Sequence, residues 1–271
     1  MSKRRPISEF DLINDYFAGM TPKRGDVVLG VGDDAALLRV PQGMDLAVSM
    51  DTLVAGVHFF PDTSPVNLGH KTLAVNLSDL AAMGAEPAWA TLALTLPEVD
   101  EDWLREFCRG FAELAGRYKL QLVGGDTTSG PLSITVQVHG LLPEGTGITR
   151  GGARVGDEIY VTGTLGDAAM ALSRQHEWAG KQDLQRLGGR LEWPIPRVEA
   201  GLALRGLASS AIDILGIFWH RAGSAPGWSW IRSPSRLRWP AFSKQTTGPP
   251  FSRVATITSS VSPCRRHIAT G

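Results

Sequence analysis

A mixed α/β fold is predicted by three observations. Apolar β-forming runs alternate with segments of helical period, proline or glycine punctuates most of the changes, and a glycine-rich stretch at 145–156 divides the chain. Residues 26–40 and 45–51 read as two strands joined by the turn Pro41-Gln42-Gly43. Within 71–84, Leu73, Leu77, Leu80 and Ala81 recur at helical spacing, with Thr72, Asn76 and Asp79 on another face and Gly84 and Pro87 as a stop. Residues 88–97 read as a strand. Residues 101–116 form an amphipathic helix whose apolar side carries Trp103, Leu104, Phe107, Phe111 and Leu114. Residues 120–125 and 132–142 return to strand. Past the glycine-rich join a second unit opens: 158–163 reads as a buried strand, Asp167 as the cap of a helix over 168–174, and 197–210 as helical, leading into Ser210-Ala-Ile-Asp213.

With 271 residues and 43% hydrophobic content, the chain can bury a substantial core. Its longest apolar runs, such as 90–96, are too short to span a bilayer, and the basic N-terminus is followed by no apolar segment, so cytoplasmic residence is expected. Cys108 and Cys264 are the only cysteines, which excludes a disulfide framework and a cysteine-rich metal site.

A net charge of zero hides an asymmetry. No Asp or Glu follows Asp213, whereas Arg221, Arg232, Arg236, Arg238, Lys244, Arg253, Arg265 and Arg266 do. Of 27 basic residues these eight lie in the tail, leaving 19 against 27 acidic ones in 1–214, a net of −8. From Leu215 onward Trp219, Trp228, Trp230 and Trp239 crowd among Ser, Arg and Pro without sustained periodicity. A basic tail that stacks on nucleic-acid bases is one reading. A translated wrong frame, or unrelated sequence joined near Ile214, is the reading preferred here, because functional disordered segments are poor in aromatics.

Four segments end in aspartate: Gly30-Val31-Gly32-Asp33-Asp34, Ser49-Met50-Asp51, Asn76-Leu77-Ser78-Asp79 and Gly124-Gly125-Asp126. Hard oxygen donors of this kind suit Mg2+, and in the absence of a Walker lysine loop they suggest a polyphosphate brought in with the metal. Gly30 to Ala35 also fits G-x-G-x-x-A, but no crossover helix fits before the next strand and two carboxylates would face a pyrophosphate. Each segment alone reads as readily as a turn, a strand end or an exposed helix position. Paired glycines before Asp126 would allow the backbone to approach a phosphate. Arg150 could bind phosphate or lie solvated in a loop, and His58, beside Phe59 and Phe60, could pack or contact substrate.

Taken together, Asp11-Leu-Ile with Tyr16-Phe17, Gly30 to Ala35, Ser49-Met-Asp-Thr-Leu-Val-Ala-Gly-Val-His-Phe59, Ala74 to Pro87, Gly124-Gly-Asp-Thr-Thr128, and Val161-Thr-Gly163 with Gly166-Asp167 closely resemble the thiamine-monophosphate kinases. The resemblance covers about 8–214 and extends to the group of ATP-using enzymes related to aminoimidazole ribonucleotide synthetase. It implies an α/β N-terminal domain over 1–150 that binds ATP and Mg2+ and dimerises through its strands. An α+β C-terminal domain would begin at 151–214 and remain incomplete, followed by an aberrant basic tail over 215–271 that is expected to be disordered. Magnesium ligands, for several ions, would be Asp34, Ser49, Met50 through its carbonyl, Asp51, Asp79, Asp126 and Asp213. Nucleotide contacts would be Gly125, Asp126 and Arg150, and a substrate contact His58. The family has Thr where Met50 stands and continues after Asp213 with Ser-Asp-Gly, where this chain has Leu215-Gly216-Ile217.

The implied reaction is ATP-dependent phosphorylation of thiamine monophosphate to thiamine diphosphate by a cytoplasmic homodimer, with ATP as co-substrate and neither nucleic acid nor membrane as partner. The alternatives are another ATP-using enzyme of the same group and a catalytically dead dimerisation module. With only about 60 residues of a second domain, close to the size at which a core becomes marginal, impaired activity of the chain as written is also expected.

Overall fold

A computed structural model describes residues 9–173, 188–214 and 253–257. Three strands of the N-terminal unit run long: β3 (Met44–Val54), β4 (Glu86–Leu96) and β6 (Ser133–Pro143), joined by β5 (Gln121–Ser129) in one sheet of order β3-β6-β4-β5. The β3/β6 and β6/β4 pairs are antiparallel. The β4/β5 pair is parallel and so needs a crossover, which α3 (Glu101–Arg117) supplies. Asp100 caps α3, its carboxylate accepting from the amides of Asp102 and Trp103.

Between β3 and β4 lies α2 (Pro65–Ala82), which begins with proline, whose ring presets φ, and is followed at Gly84 by a positive φ of 68°. This helix is six residues longer at its start than the predicted one, because Pro65 to His70 show no apolar period. Gly69 explains their place in the helix. A Cβ at Gly69 would come within 2.0 Å of the Phe107 carbonyl oxygen, and one at Gly110 within 1.9 Å of the Val66 oxygen, so α2 and α3 touch backbone to backbone. Leu68, Leu73, Leu77 and Leu80 of α2 and Leu104, Phe107 and Phe111 of α3 are buried in one core with Leu92 and Leu94 of β4 and Ile134, Val136 and Val138 of β6.

The polar face of α2 is not solvated. Thr72 and Asn76 have no exposed surface, and Lys71 has almost none: Asn76 meets β3 at the Asp51 amide and Lys71 meets the His58 carbonyl, while α5 (Val198–Leu204) of the second unit packs on another face of the same helix, at Ala81. Contact there is again close: a Cβ at Gly201 would meet the Ala81 carbonyl oxygen at 2.0 Å.

Several predicted boundaries are corrected. The segment 26–40 is not one strand but β1 (Val27–Leu29) and β2 (Leu37–Leu38), paired with each other and separated by the Gly30 to Ala36 turn. No helix follows that turn, consistent with rejecting a dinucleotide fingerprint. Gly124-Gly125-Asp126 lies inside β5 rather than in a turn. The strand β7 (Glu158–Val161) is partly exposed, not buried. Asp167 is the first residue of α4 (Asp167–Ser173), and Thr164 donates to its carboxylate. The helix expected over 197–210 stops at Leu204, Gly206 takes a φ of 69°, and Ala208–Asp213 becomes the strand β8. Most of the tail, together with Arg174, lies outside the described residues. At 253–257, however, a strand β9 (Arg253–Ile257) runs parallel to β7 on one side and β8 on the other, contrary to a wholly structureless tail. Val254, Ala255, Thr256 and Ile257 are short or β-branched, and β7 and β8 flank them with backbone partners.

Among the described residues no helix is long and apolar enough to cross a membrane. The α2/α3 contact yields a direct test. Gly110→Ala forces the helices apart and is expected to lower stability by about 1 to 3 kcal/mol, read as a reduced urea midpoint at unchanged m-value; an unaltered midpoint would refute the close approach.

Candidate functional site

Two groups of predicted site residues form, at opposite edges of the sheet. The first lies where β3 meets α2. Ser49 and Asp51 are two residues apart on one strand and so share a face, the one covered by α2. Ser49 Oγ donates to Asp79 Oδ2 at 2.7 Å, and the Asp51 amide donates to Asn76 Oδ1 at 3.0 Å. Asn76 and Asp79 are three apart on the helix and therefore neighbours on its surface. Asn76 also donates to the Thr72 carbonyl at 2.9 Å, which fixes its amide for that role.

Burial shapes the electrostatics of this group. Burial, and then repulsion from Asp79, push the Asp51 carboxyl up to about 6. Burial likewise raises Asp79, against the opposing effects of the Ser49 hydroxyl and the Arg150 guanidinium. Two partly desolvated carboxylates thus face each other with less positive charge than they need. Arg150 lies in a single 3-10 turn, Arg150–Gly152, held to the second unit where Ser210 Oγ donates to its carbonyl at 3.0 Å. Asp213 ends β8 and is buried.

The second group surrounds a cavity of about 570 Å3 at the β5 edge, lined by Asp33, Asp34, Thr91, Gly124, Gly125 and Asp126 together with Ile13, Phe17 and Leu122. Asp126 is exposed, and a Cβ at Gly125 would meet the Leu92 carbonyl oxygen at 1.9 Å, so the strand backbones are pressed together at its floor. Such a cleft, polar at one wall and apolar at another, has the size of a small-molecule site.

One chain therefore does not gather Asp34, Asp51, Asp79, Asp126 and Asp213 around a point. Asp51 pairs with Val136, Val136 with Leu92, and Leu92 with Gly125, so the row from Asp51 to Gly125 crosses three strand spacings, about 14 Å. Among the described residues no three His, Cys, Asp or Glu side chains stand close enough together to hold a metal. The donors at the first group are two carboxylates, the Ser49 hydroxyl and the Met50 carbonyl. That set still suits Mg2+, which takes one or two carboxylates and completes its shell with water and phosphate oxygens.

His58 lies in a turn between β3 and α2, apart from both carboxylate groups. Its Nδ1 accepts from the Val54 amide at 3.0 Å, and burial followed by the Lys71 charge lowers its pKa. The sequence reading placed Asn76 on the face of Asp79 without giving it a role, named Asp33 within its aspartate segment but not among the ligands, and passed over Lys71 and Thr91. The i, i+3 spacing of Asn76 and Asp79 was the available signal for the first.

Known proteins share this sequence and fold over much of the chain. A family model, the N-terminal domain of AIR synthase related proteins, matches residues 32–142. Residues 32–142 are thus an N-terminal domain of that class. The thiamine-monophosphate kinase of Escherichia coli K12 is 54% identical over 209 residues, covering 76% of this chain and 64% of the relative. A crystal structure of thiamine-monophosphate kinase from Stenotrophomonas maltophilia superposes with a TM-score of 0.69 at 48% identity, covering 75% of this chain and 66% of the other. AaThiL complexed with AMPPCP and TMP is 28% identical with a TM-score of 0.59, covering 78% and 66%. Over the matched residues the chain belongs to the thiamine-monophosphate kinase family. It spans 64% to 66% of the length of the relatives named.

The raised Asp51 carboxyl makes a pH prediction. Because its folded pKa of about 6 lies above the ordinary value of 3.8, the neutral acid stabilises the fold below the lower value and that contribution is lost as pH rises through the upper one. In metal-free buffer Asp51→Asn should match the parent at pH 4 and exceed it at pH 8, by at most about 3 kcal/mol. Chemical denaturation at the two pH values checks this; a variant no more stable at pH 8 would contradict the desolvated pair.

Proposed function

We propose that the chain is built for ATP-dependent phosphorylation of thiamine monophosphate to thiamine diphosphate. The observation that carries the reading is the half-buried Asp51–Asp79 pair beside Arg150, in a chain 54% identical over 209 residues to a thiamine-monophosphate kinase. A like-charged, desolvated pair is unfavourable alone and becomes useful when a cation and a phosphate arrive together. Bound Mg2+ would neutralise charge on the transferring phosphoryl group and join it to the protein.

Within this reading Ser49, the Met50 carbonyl, Asp51 and Asp79 hold magnesium at the β3 edge, and Asp34 and Asp126 do so at the β5 edge, with Asp213 delivered by the second unit. Gly125, Asp126 and Arg150 bind the nucleotide, and His58 contacts thiamine monophosphate. Asn76 keeps the Asp51 backbone in place, and Ser49 directs its hydroxyl hydrogen to Asp79. The terminal phosphate oxygen of thiamine monophosphate is already largely ionised at neutral pH, so it attacks the γ-phosphorus of ATP in line without a protein base. Positioning and charge stabilisation are what the chain supplies.

Opposite-edge placement of the two groups supports a homodimer joined through strands. In the described N-terminal sheet β3 and β5 are the edges, and joining β3 of one copy to β5 of another would bring Asp51 and Asp126 of different copies within about one strand spacing. Leu46, Val48 and Met50, on one face of β3, are 43%, 53% and 60% exposed, an apolar stripe of the sort that marks an interface. Val48→Asp should convert a dimer into monomers in sedimentation velocity; a wild-type monomer would count against the strand-joined dimer. The reading also keeps 1–150 as the nucleotide and dimerisation domain, 151–214 as the opening of a second domain, 215–271 as a tail from another reading frame, and a cytoplasmic place of action.

The functional test separates site from tail. Asp79→Asn should abolish magnesium-dependent binding of an ATP analogue in calorimetry. In a chain that continues with Ser-Asp-Gly after Asp213, it should also cut thiamine diphosphate formation by on the order of 100-fold or more. Asp102→Asn is the control, since Asp102 makes only an exposed 2.6 Å pair with Arg105. An active Asp79→Asn enzyme would overturn the ligand assignment.

A further inference from the structure

We propose that Lys71 is a positioning residue for His58: from inside α2 its ammonium fixes the turn that presents the imidazole and links that turn to the second unit. The inference rests on the reading of His58 as a thiamine monophosphate contact.

The turn is short and held at several points. Gly56 takes a φ of 73°, and its amide donates to the Phe59 carbonyl at 2.9 Å. The amides of Val57 and His58 both donate to the Val54 carbonyl, at 3.1 and 2.9 Å, while the Val54 amide donates to His58 Nδ1 at 3.0 Å. With Nδ1 occupied as an acceptor, the neutral ring carries its hydrogen on Nε2. That leaves the Nε2–H as the imidazole's donor to a ligand.

Lys71 closes the remaining side. It is 2% exposed, and Nζ donates to the His58 carbonyl oxygen at 3.1 Å. Burial lowers its pKa to about 8, opposed by the Glu192 charge, so the ammonium stays largely protonated at pH 7. A methionine would fill the same space without the cost of desolvating a cation. What methionine would not supply is the charge-assisted bond to the turn.

Coupling to the second unit follows from Glu192. Asn67, one helical turn before Lys71 on α2, donates from Nδ2 to Glu192 Oε2 at 2.9 Å. The void enclosed by His58, Phe59, Thr63, Lys71, Leu191 and Glu192 holds about 10 Å3, which leaves at most one water's space in the joint. His58, Lys71 and Glu192 are the titratable groups that line it. A shift of the second unit against α2 is therefore transmitted to the imidazole rather than absorbed by solvent.

The experiment compares Lys71→Met with His58→Ala in the full chain. Dissociation constants are measured for thiamine monophosphate in the presence of Mg2+ and AMPPCP, and for AMPPCP with Mg2+ alone, with the ring nitrogens of His58 followed by NMR. Lys71→Met is expected to weaken thiamine monophosphate binding by about tenfold, the scale of a hydrogen bond to a charged group, while leaving AMPPCP affinity unchanged. It is also expected to raise the pH at which His58 titrates and to mix its tautomers. A purely structural lysine would leave the tautomer and the selectivity between the two ligands alone. If His58→Ala weakens thiamine monophosphate binding and Lys71→Met does not, the Lys71 proposal fails and the reading of His58 stands. If His58→Ala leaves binding unaltered, the reading of His58 fails. Lys71→Gln, uncharged and too short to reach the His58 carbonyl, gives the same comparison should Lys71→Met not fold.

Discussion

Burial of α2 on both of its sides is the constraint from which the remaining structure follows. One side meets α3 at backbone contact, through Gly69 and Gly110, and packs its leucines on the sheet, and another meets α5 at Ala81 through Gly201. A helix so enclosed has no solvent to satisfy its polar side chains, and each must find a protein partner. Thr72 and Ser78 donate back to the carbonyls of Leu68 and Ala74 at 2.6 and 2.9 Å. Asn76, Asp79 and Lys71 reach outward to the Asp51 amide, the Ser49 hydroxyl and the His58 carbonyl. His70 stacks on Trp193 with centroids 3.7 Å apart and bonds the Pro194 carbonyl at 2.7 Å.

This arrangement explains why functional groups concentrate at one helix. Low solvent access strengthens every charge interaction there and makes unpaired charge costly. Asp51 and Asp79 carry that cost in the ligand-free chain. Arg150, seated on a turn tied to β8, offsets part of it from the second unit. The site thus depends on both units even though most of its donors lie on the first, and Arg205 reinforces the joint by donating to the carbonyls of Gly84 and, at 3.2 Å, Leu141.

The sheet order adds the second constraint. Since β4 and β5 are parallel, α3 must cross between them, and β6 then returns between β3 and β4. As a result β3 and β5 are left at the edges, each with its own aspartates. A site assembled from both edges would be completed by a second copy more economically than by any rearrangement within one chain.

By itself the sequence determined the local features: the helix stop at Gly84, the amphipathic α3, the strands at 86–96 and 133–143 to within a few residues, and the identity of the oxygen donors. Each follows from backbone preference or from the period of apolar side chains, which neighbouring residues alone specify. Tertiary structure decided the rest. Periodicity marked Thr72, Asn76 and Asp79 as a polar face, but only packing against β3 turned that face inward. The segment 208–213 has helix-compatible alanines and serines, yet β9 supplies hydrogen-bond partners that make it a strand. Separation of Asp51 from Asp126 arises from pairing between residues 33 to 85 positions apart in the chain: Leu92 with Gly125, Leu92 with Val136 and Asp51 with Val136. Such pairing leaves no local signature, because its free energy is realised only when the whole sheet and the helix over it have formed.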